Sequence, residues 1–255
     1  MGFFSKIFKG ITNIIGDVLG FLVGADFDEQ QQAEGVLVNK QSNNAAIPVI
    51  YGERKVGGTR VFVSTGGNDN EYLYIALVLA EGEVDSIGDV YINDTLITDP
   101  KYSNLYYIQK YTGTDSQTYN TVLANATDTW GINHRLRGIA YLAIRLKYDS
   151  DVFGGIPNIQ AVVKGRKVYD PRKDPTSTVY DGSGSHSKTN ASTWEWSDNP
   201  ALCLADYMTN ERFGKGLDHS RIDLASIGNA ADVCDTTQTN YTNGQSIKIL
   251  TRIFL

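Results

Sequence analysis

Chemistry-bearing motifs are scarce in this chain of 255 residues. It has three histidines, His134, His186 and His219, and no two of them form an HExxH pair, which argues against a zinc hydrolase. A GxSxG nucleophile elbow, a P-loop and a GxGxxG turn are all missing, so no acyl-transfer or nucleotide-binding signature is present. The two cysteines, Cys203 and Cys234, lack a CxxC spacing or a neighbouring histidine pair, which excludes the usual zinc sets. Each falls on an expected helix face, where it is either a buried free thiol or half of a disulfide joining the paired helices. Basic residues are also in deficit: 23 Lys and Arg against 29 Asp and Glu give a net charge of −6. A dedicated nucleic-acid binder leans the other way, so no sequence-specific nucleic-acid partner is expected.

The remaining groupings are weak. Ser183 and His186 stand close together, but in a Gly-Ser segment that reads as a flexible loop unable to hold a catalytic triad. Glu81, Glu83 and Asp85, and again Asp149 and Asp151, read as hydrophilic turns rather than as a paired-carboxylate site. Asp149 and Asp151 could offer oxygens to Ca²⁺, but the EF-hand pattern is absent. The expectation is therefore a protein that is not an enzyme, with no catalytic residues, no cofactor and no metal.

What is present points to β structure. Hydrophobic residues make up 41% and charged residues 20%, enough for a packed core in one large or two ordinary domains. Twenty-five glycines and 15 tyrosines, with many Val, Ile and Thr, fit a turn-rich β protein. Strand signals recur at 47–52, 60–64 and 72–80, the last apolar throughout and so buried on both faces. Two more, at 89–92 and 95–97, flank an Asn93-Asp94 hairpin turn. A Tyr-rich stretch at 98–135 reads as an excursion out of the sheet, with a strand at 105–111 and a helical turn at 121–126. Strands at 139–148 and 159–169 follow, and then an exposed Ser/Thr/Gly-rich loop at 170–193.

Helical signals sit at the two ends. In residues 1–24, Phe4, Ile7, Phe8, Ile11, Ile15, Val18 and Leu22 recur at helical spacing with Lys6, Lys9 and Asp17 between them. This amphipathic helix is too short and interrupted to span a membrane, lacks a clean leader-cleavage site and misses the myristoylation pattern. It is expected to dock on a protein partner, with a membrane surface as the alternative. Near the other end, Asp198 or Asn199 caps a helix opened by Pro200, with Ala201, Leu202, Leu204, Ala205 and Met208 as its stripe and Gly214 as its stop. Ser220 and Asp223 resemble a capping box ahead of a second helix, with Ile222, Ala225, Ile227, Ala230, Val233 and Cys234 on its apolar face. The last residues, 247–255, form an apolar strand pattern with no polar exit, as expected of a truncated or split chain, or of a strand completed by another chain.

The expected organisation is a helix and connector at 1–34, a β-rich domain at 35–172, a linker at 173–193 and a helical segment at 194–255. The fold class is mostly β with α (α+β).

Three blocks then carry a family resemblance. The first runs from Ile47-Pro48-Val49-Ile50-Tyr51-Gly52 through Val56-Gly57-Gly58 to Ala80-Glu81-Gly82-Glu83-Val84 and Val90-Tyr91-Ile92-Asn93-Asp94. The second runs from Leu136-Arg137-Gly138 through Gly155-Ile156-Pro157-Asn158 to Val163-Lys164-Gly165-Arg166 and Asp170-Pro171-Arg172. The third joins Trp196-Ser197-Asp198-Asn199-Pro200 to Arg212-Phe213-Gly214. In this order, over roughly residues 45–235, the chain resembles the N-terminal part of the tail-tip hub, or host-specificity protein J, family of long-tailed, lambda-like phages.

The resemblance implies β-barrel-like hub domains arranged as a ring, a homotrimer closing the distal tail tube, and contacts with the distal tail protein, the tape-measure protein and other tail-tip proteins. It also implies a place in the virion after assembly in the host cytoplasm, and a part in host attachment and DNA ejection, with transient contact to the host membrane. Two departures stand out: the long C-terminal region of the family is missing, and the apolar N-terminal helix has no counterpart in the lambda protein. The Trp and Tyr content leaves a carbohydrate-binding surface protein as the first rival reading, and residues 1–24 leave a membrane-active protein as the second.

Overall fold

The computed structural model describes residues 39, 45–177, 180, 182–239 and 246–248. The amphipathic helix expected over residues 1–24 lies outside the described residues. The chain forms two compact units: Met1–Pro48 with Lys55–Val163, and Val49–Arg54 with Lys164–Leu255.

The first unit is built on antiparallel strands. β2 (Thr59–Gly66), β3 (Tyr72–Glu81), β7 (Ile139–Lys147) and β6 (Tyr106–Tyr111) form one sheet in the order β2-β3-β7-β6. β3 is buried over eight consecutive residues, from Leu73 to Ala80. A strand flanked on both sides and covered on both faces has no solvent side, which explains its unbroken apolar run. Its register with β7 places Ile75 opposite Ile144 and Leu77 opposite Leu142. A second sheet has the order β1-β8-β4-β5, from Glu53–Val56, Ile159–Lys164, Ser86–Ile92 and Thr95–Leu96. The β4–β5 turn is the expected Asn93-Asp94 hairpin, with both residues at positive φ.

Within the Tyr-rich stretch the expected strand and helical turn both form, as β6 and as Thr121–Ala126, but β6 is no excursion: it pairs with β7 and completes the edge of the first sheet. Tyr111 stacks on Tyr141 at 4.4 Å between ring centroids, a cross-strand pairing that draws the stretch into the sheet. Behind it, buried Gln117 donates to the carbonyls of Arg135, Leu136 and Ile139 and accepts from the Gly113 amide. That clamp holds Leu136 at φ 48, a left-handed backbone that leucine seldom adopts. The short helix α1 (Thr121–Ala126) is capped by Asn120, which is fully buried.

Two strands expected from the sequence are shorter or displaced. Residues 47–52 are irregular, and the strand begins only at Glu53. Pro48 brings no amide donor and Gly52 turns at φ +64, so the ladder cannot start earlier. The strand expected at 159–169 breaks at Gly165, into β8 and β9 (Lys167–Val168). A Cβ at Gly165 would lie 2.0 Å from the Ile50 carbonyl oxygen, so only glycine fits that crossing.

The second unit carries the helical pair. α2 (Pro200–Thr209) begins as the caps predict: Asn199 accepts from the Ala201 and Leu202 amides, with Pro200 in the first turn. Its buried residues are Pro200, Ala201, Leu202, Cys203 and Asp206, while Leu204 is exposed. α3 (Leu224–Asp235) is capped by Asp223 itself rather than by Ser220; its side chain accepts from the Ala225 and Ser226 amides. Aspartate is among the best N-cap residues, and Asp218 caps the separate 3-10 turn at His219–Arg221.

The α3 seam also differs from the expected stripe. Gly228, Ala231 and Cys234 are buried, whereas Ala230 and Val233 face solvent. Gly228 makes room for the Tyr180 ring, while Ala231 and Cys234 pack with Ala201 and Leu202 of α2, and Asn199 ties the two helices by donating to the Ala231 carbonyl at 2.9 Å. A two-stranded ladder joins Thr237–Thr239 (β11) to Ser246–Lys248 (β12); the rest of the apolar end segment lies outside the described residues.

The expected linker is a packed part of the second unit. Gly182 and Gly184 lie flush on the backbone of Asp174 and Lys173, where a Cβ would meet carbonyl oxygens at 2.0 and 2.6 Å. His186 is 2% exposed. The loop looked polar and glycine-rich because glycine is what permits this close approach, not because the segment is free of contacts.

Candidate functional site

Two polar clusters organise the second unit. The first surrounds Asp206, a buried carboxylate on the inner face of α2. It accepts from the Arg166 guanidinium at 3.1 Å and from the Tyr51 hydroxyl. Arg166 reaches it from the turn after Gly165 and lies 4.9 Å over the Phe213 ring. The Arg166 and Ile50 backbones are joined at 2.8 Å. Burial, and then the Asp206 charge, push the Tyr51 hydroxyl well above the usual phenol range, so it stays a donor. A buried carboxylate with one guanidinium and one phenol is satisfied rather than reactive.

The second cluster centres on Arg172. Its guanidinium grips Asp170 with two parallel contacts and reaches Asp232 at 2.7 Å and Asp235 at 3.0 Å on α3. Hydrogen bonds to Asp170, opposed by burial and reinforced by Asp232 and Asp235, raise the Arg172 pKa further. Next to it, Tyr169 donates to Asp174 at 2.8 Å, and the rings of His186, Trp194 and His219 surround Tyr169 at 6.2–6.4 Å.

The Asp206 cluster borders a cleft of about 480 Å³ lined by Arg166, Trp194, Asp206, Asn210, Asp218 and His219, whereas the Arg172 cluster lines a separate cavity of about 240 Å³ with His186 and Glu195. The cleft is open and mixed in polarity. Trp194 and Trp196, the residues that motivated a carbohydrate reading, both spend their indole donors internally, on the carbonyls of Ser187 and Gly52. Lys164 covers the Trp196 ring at 4.9 Å.

Residues singled out in the sequence fall in ordinary places. His134 accepts from the Gly131 amide and stacks on Trp130. Asp149 caps a local turn through the Asp151 amide. Cys203 and Cys234 are free and buried, so the thiol alternative is the one observed; burial, then Asp206, push the Cys203 thiol up to about 12. Tyr102 and Tyr111 are core residues, and the Tyr102 hydroxyl donates to the Ile92 carbonyl. Among the described residues no three His, Cys, Asp or Glu side chains gather as a metal would need. No helix among them is long and apolar enough to cross a membrane. The seven docking residues proposed for the N-terminal helix lie outside the described residues.

Sequence reasoning missed the Arg172 and Asp206 clusters and the place of His186. Only Asp170-Pro171-Arg172 carried a local signal, an Asx-type cap followed by proline, which appears here as a 3-10 turn at Pro171–Lys173.

No family model matches the chain. Its sequence is 23% identical over 253 residues to the baseplate hub protein pb3 of Escherichia phage T5, covering 76% of this chain and 25% of that protein. The chain thus spans about a quarter of the length of the curated relative it matches. In fold it is similar to a chain in the virion of a native gene transfer agent particle, with a TM-score of 0.50 at 17% identity, over 93% of this chain and 62% of that one. That likeness bears out an α+β architecture of antiparallel sheets with a few helices. The chain is a distant relative of a phage baseplate hub protein.

Proposed function

We propose that the chain is a structural, non-enzymatic component of a phage-type tail: a hub subunit at the distal end of the tail tube. The observation that carries this reading is the kinship with a baseplate hub protein over three quarters of the chain. In this reading the chain assembles as a homotrimer in the host cytoplasm and becomes part of the virion. Its neighbours there are the distal tail protein and the tape-measure protein, and it serves host attachment and DNA ejection. In this reading the hub is of the host-specificity protein J type, which the ordered sequence blocks support.

Two features support a ring of such units. β2 and β6 are the edge strands of the first sheet, and each carries an exposed apolar residue, Val61 and Tyr106. Open edges of that kind suit pairing with a neighbouring copy. The net charge of −6 also suits a channel wall, because like charges keep passing DNA from sticking.

The test is native mass spectrometry of the purified full chain, together with imaging of tails that carry a tag on it. A trimer, and a label confined to the distal tail tip, are expected. A stable monomer absent from purified tails defeats the proposal.

A further inference from the structure

The His186 ring is held by a hydrogen bond at one nitrogen and faces a carboxylate with the other. Nδ1 accepts from the Asp170 amide at 3.0 Å, so the neutral ring carries its proton on Nε2. Nε2 is buried and makes no hydrogen bond, and it faces the Glu195 carboxylate at 3.8 Å. The His186 amide donates to the Lys173 carbonyl at 3.2 Å. The ring is therefore a titratable clasp between residues 182–193 and the segment 170–174, beside the Asp174 contact with the Lys188 amide, and Gly182 and Gly184 already lie flush on that segment.

We propose that His186 is a pH-sensitive latch: neutral, it fastens residues 182–193 to the segment 170–174, and protonation at Nδ1 releases them. A proton on Nδ1 would point at the Asp170 N–H, replacing an accepted hydrogen bond by two opposed donors. The charged ring would be drawn instead toward Glu195.

The charged groups facing the ring are Glu195 on β10 (Glu195–Trp196), Lys173 in the 3-10 turn, and Asp170 and Asp174 on its flanks. Glu195 is engaged by Lys173, which weakens its hold on a protonated ring. Asp170 is engaged by Arg172, and Asp174 by Tyr169, Thr176 and the Lys188 amide. Burial is the main influence on the ring and holds it neutral below the ordinary histidine range; Glu195 opposes that and Lys173 adds to it. The sign follows. Above the unfolded value of about 6.5 both open and closed states are neutral and the latch is fully fastened. As pH falls below that value the open state takes up the proton first, so the closed state loses stability.

The experiment is hydrogen exchange on the full chain, corrected for intrinsic rates, at about pH 7.5 and about pH 5.5. Protection of the Asp170 and His186 amides is expected to drop about tenfold on acidification, with the amides of β3 unchanged. His186→Gln can accept from Asp170 without titrating, and is expected to keep its protection at both pH values. Equal protection of the wild-type loop at both pH values overturns the proposal, as does the same drop in His186→Gln or a uniform loss across the whole second unit. If His186→Gln fails to fold, a titration of the wild-type imidazole by NMR decides. A ring protonated at the lower pH with the Asp170 amide still protected overturns the latch.

Discussion

At the scale of single residues, the second unit depends on charged side chains that the sequence alone would leave facing water. Asp206 is the clearest case. Removing its carboxylate leaves the Arg166 guanidinium and the Tyr51 hydroxyl without their partner in a mostly buried setting. Breaking a buried ion pair from one side costs about 3–5 kcal/mol, and the partial exposure of Arg166 places Asp206→Ala near the lower end, about 3 kcal/mol. Urea denaturation read on the second unit measures this; a loss under about 1 kcal/mol would mean that Arg166 and Tyr51 find water instead. The Cys203 thiol gives a second residue-level expectation. It is 3% exposed and held up to about 12, so it should be protonated and unreactive toward alkylating reagents near neutral pH until the fold opens. Rapid alkylation of Cys203 in the native protein would contradict this placement.

At the scale of elements, β3 and the α2–α3 pair stand at opposite ends of legibility. β3 announces itself by an unbroken apolar run, and its inner residues, flanked in the sheet by β2 and β7, are buried. Ile75→Ala should therefore cost about 2–5 kcal/mol by cavity formation, measurable as a shift of the urea midpoint at unchanged slope. The helical pair was legible in the α2 cap but not in the α3 cap or the seam. Asn199 caps α2 and also crosses to the Ala231 carbonyl, so a residue predicted for one local role performs a second, long-range one. Asn199→Asp keeps the cap oxygen but loses the amide donor. It should cost about 1–3 kcal/mol through the lost cross-helix bond to the Ala231 carbonyl, whereas Asn199→Ala loses both functions and costs more. Calorimetric melting of the two variants separates the roles.

At the scale of the whole molecule, the chain is two compact units that share the sequence discontinuously. Residues 49–54 belong to the second unit although they lie between segments of the first. Domain limits drawn along the sequence at 172 and 193 could not find this, because composition shifts mark changes in polarity and not long-range contacts. The Gly-Ser stretch at 182–187 carries the flexible signature, yet its glycines serve close packing and its histidine is buried. In the Tyr-rich stretch the strand itself was expected, but its polar neighbours hid that it belongs to the sheet edge, where Tyr111 stacks on Tyr141.

By itself, the sequence determined what depends on local chemistry. The apolar run of β3, the Asn93-Asp94 hairpin, the Asn199-Pro200 helix start and the missing catalytic motifs follow from propensity, turn geometry and residue identity, and none needs a distant partner. The ordered blocks likewise carry the likeness to a hub in residue identity alone. Only the tertiary structure decided which polar residues are buried and what they hold. Asp206, Arg172 and His186 owe their roles to partners up to 155 residues away, as Tyr51 and Asp206 show, and pairings at that distance leave no periodic trace in the sequence.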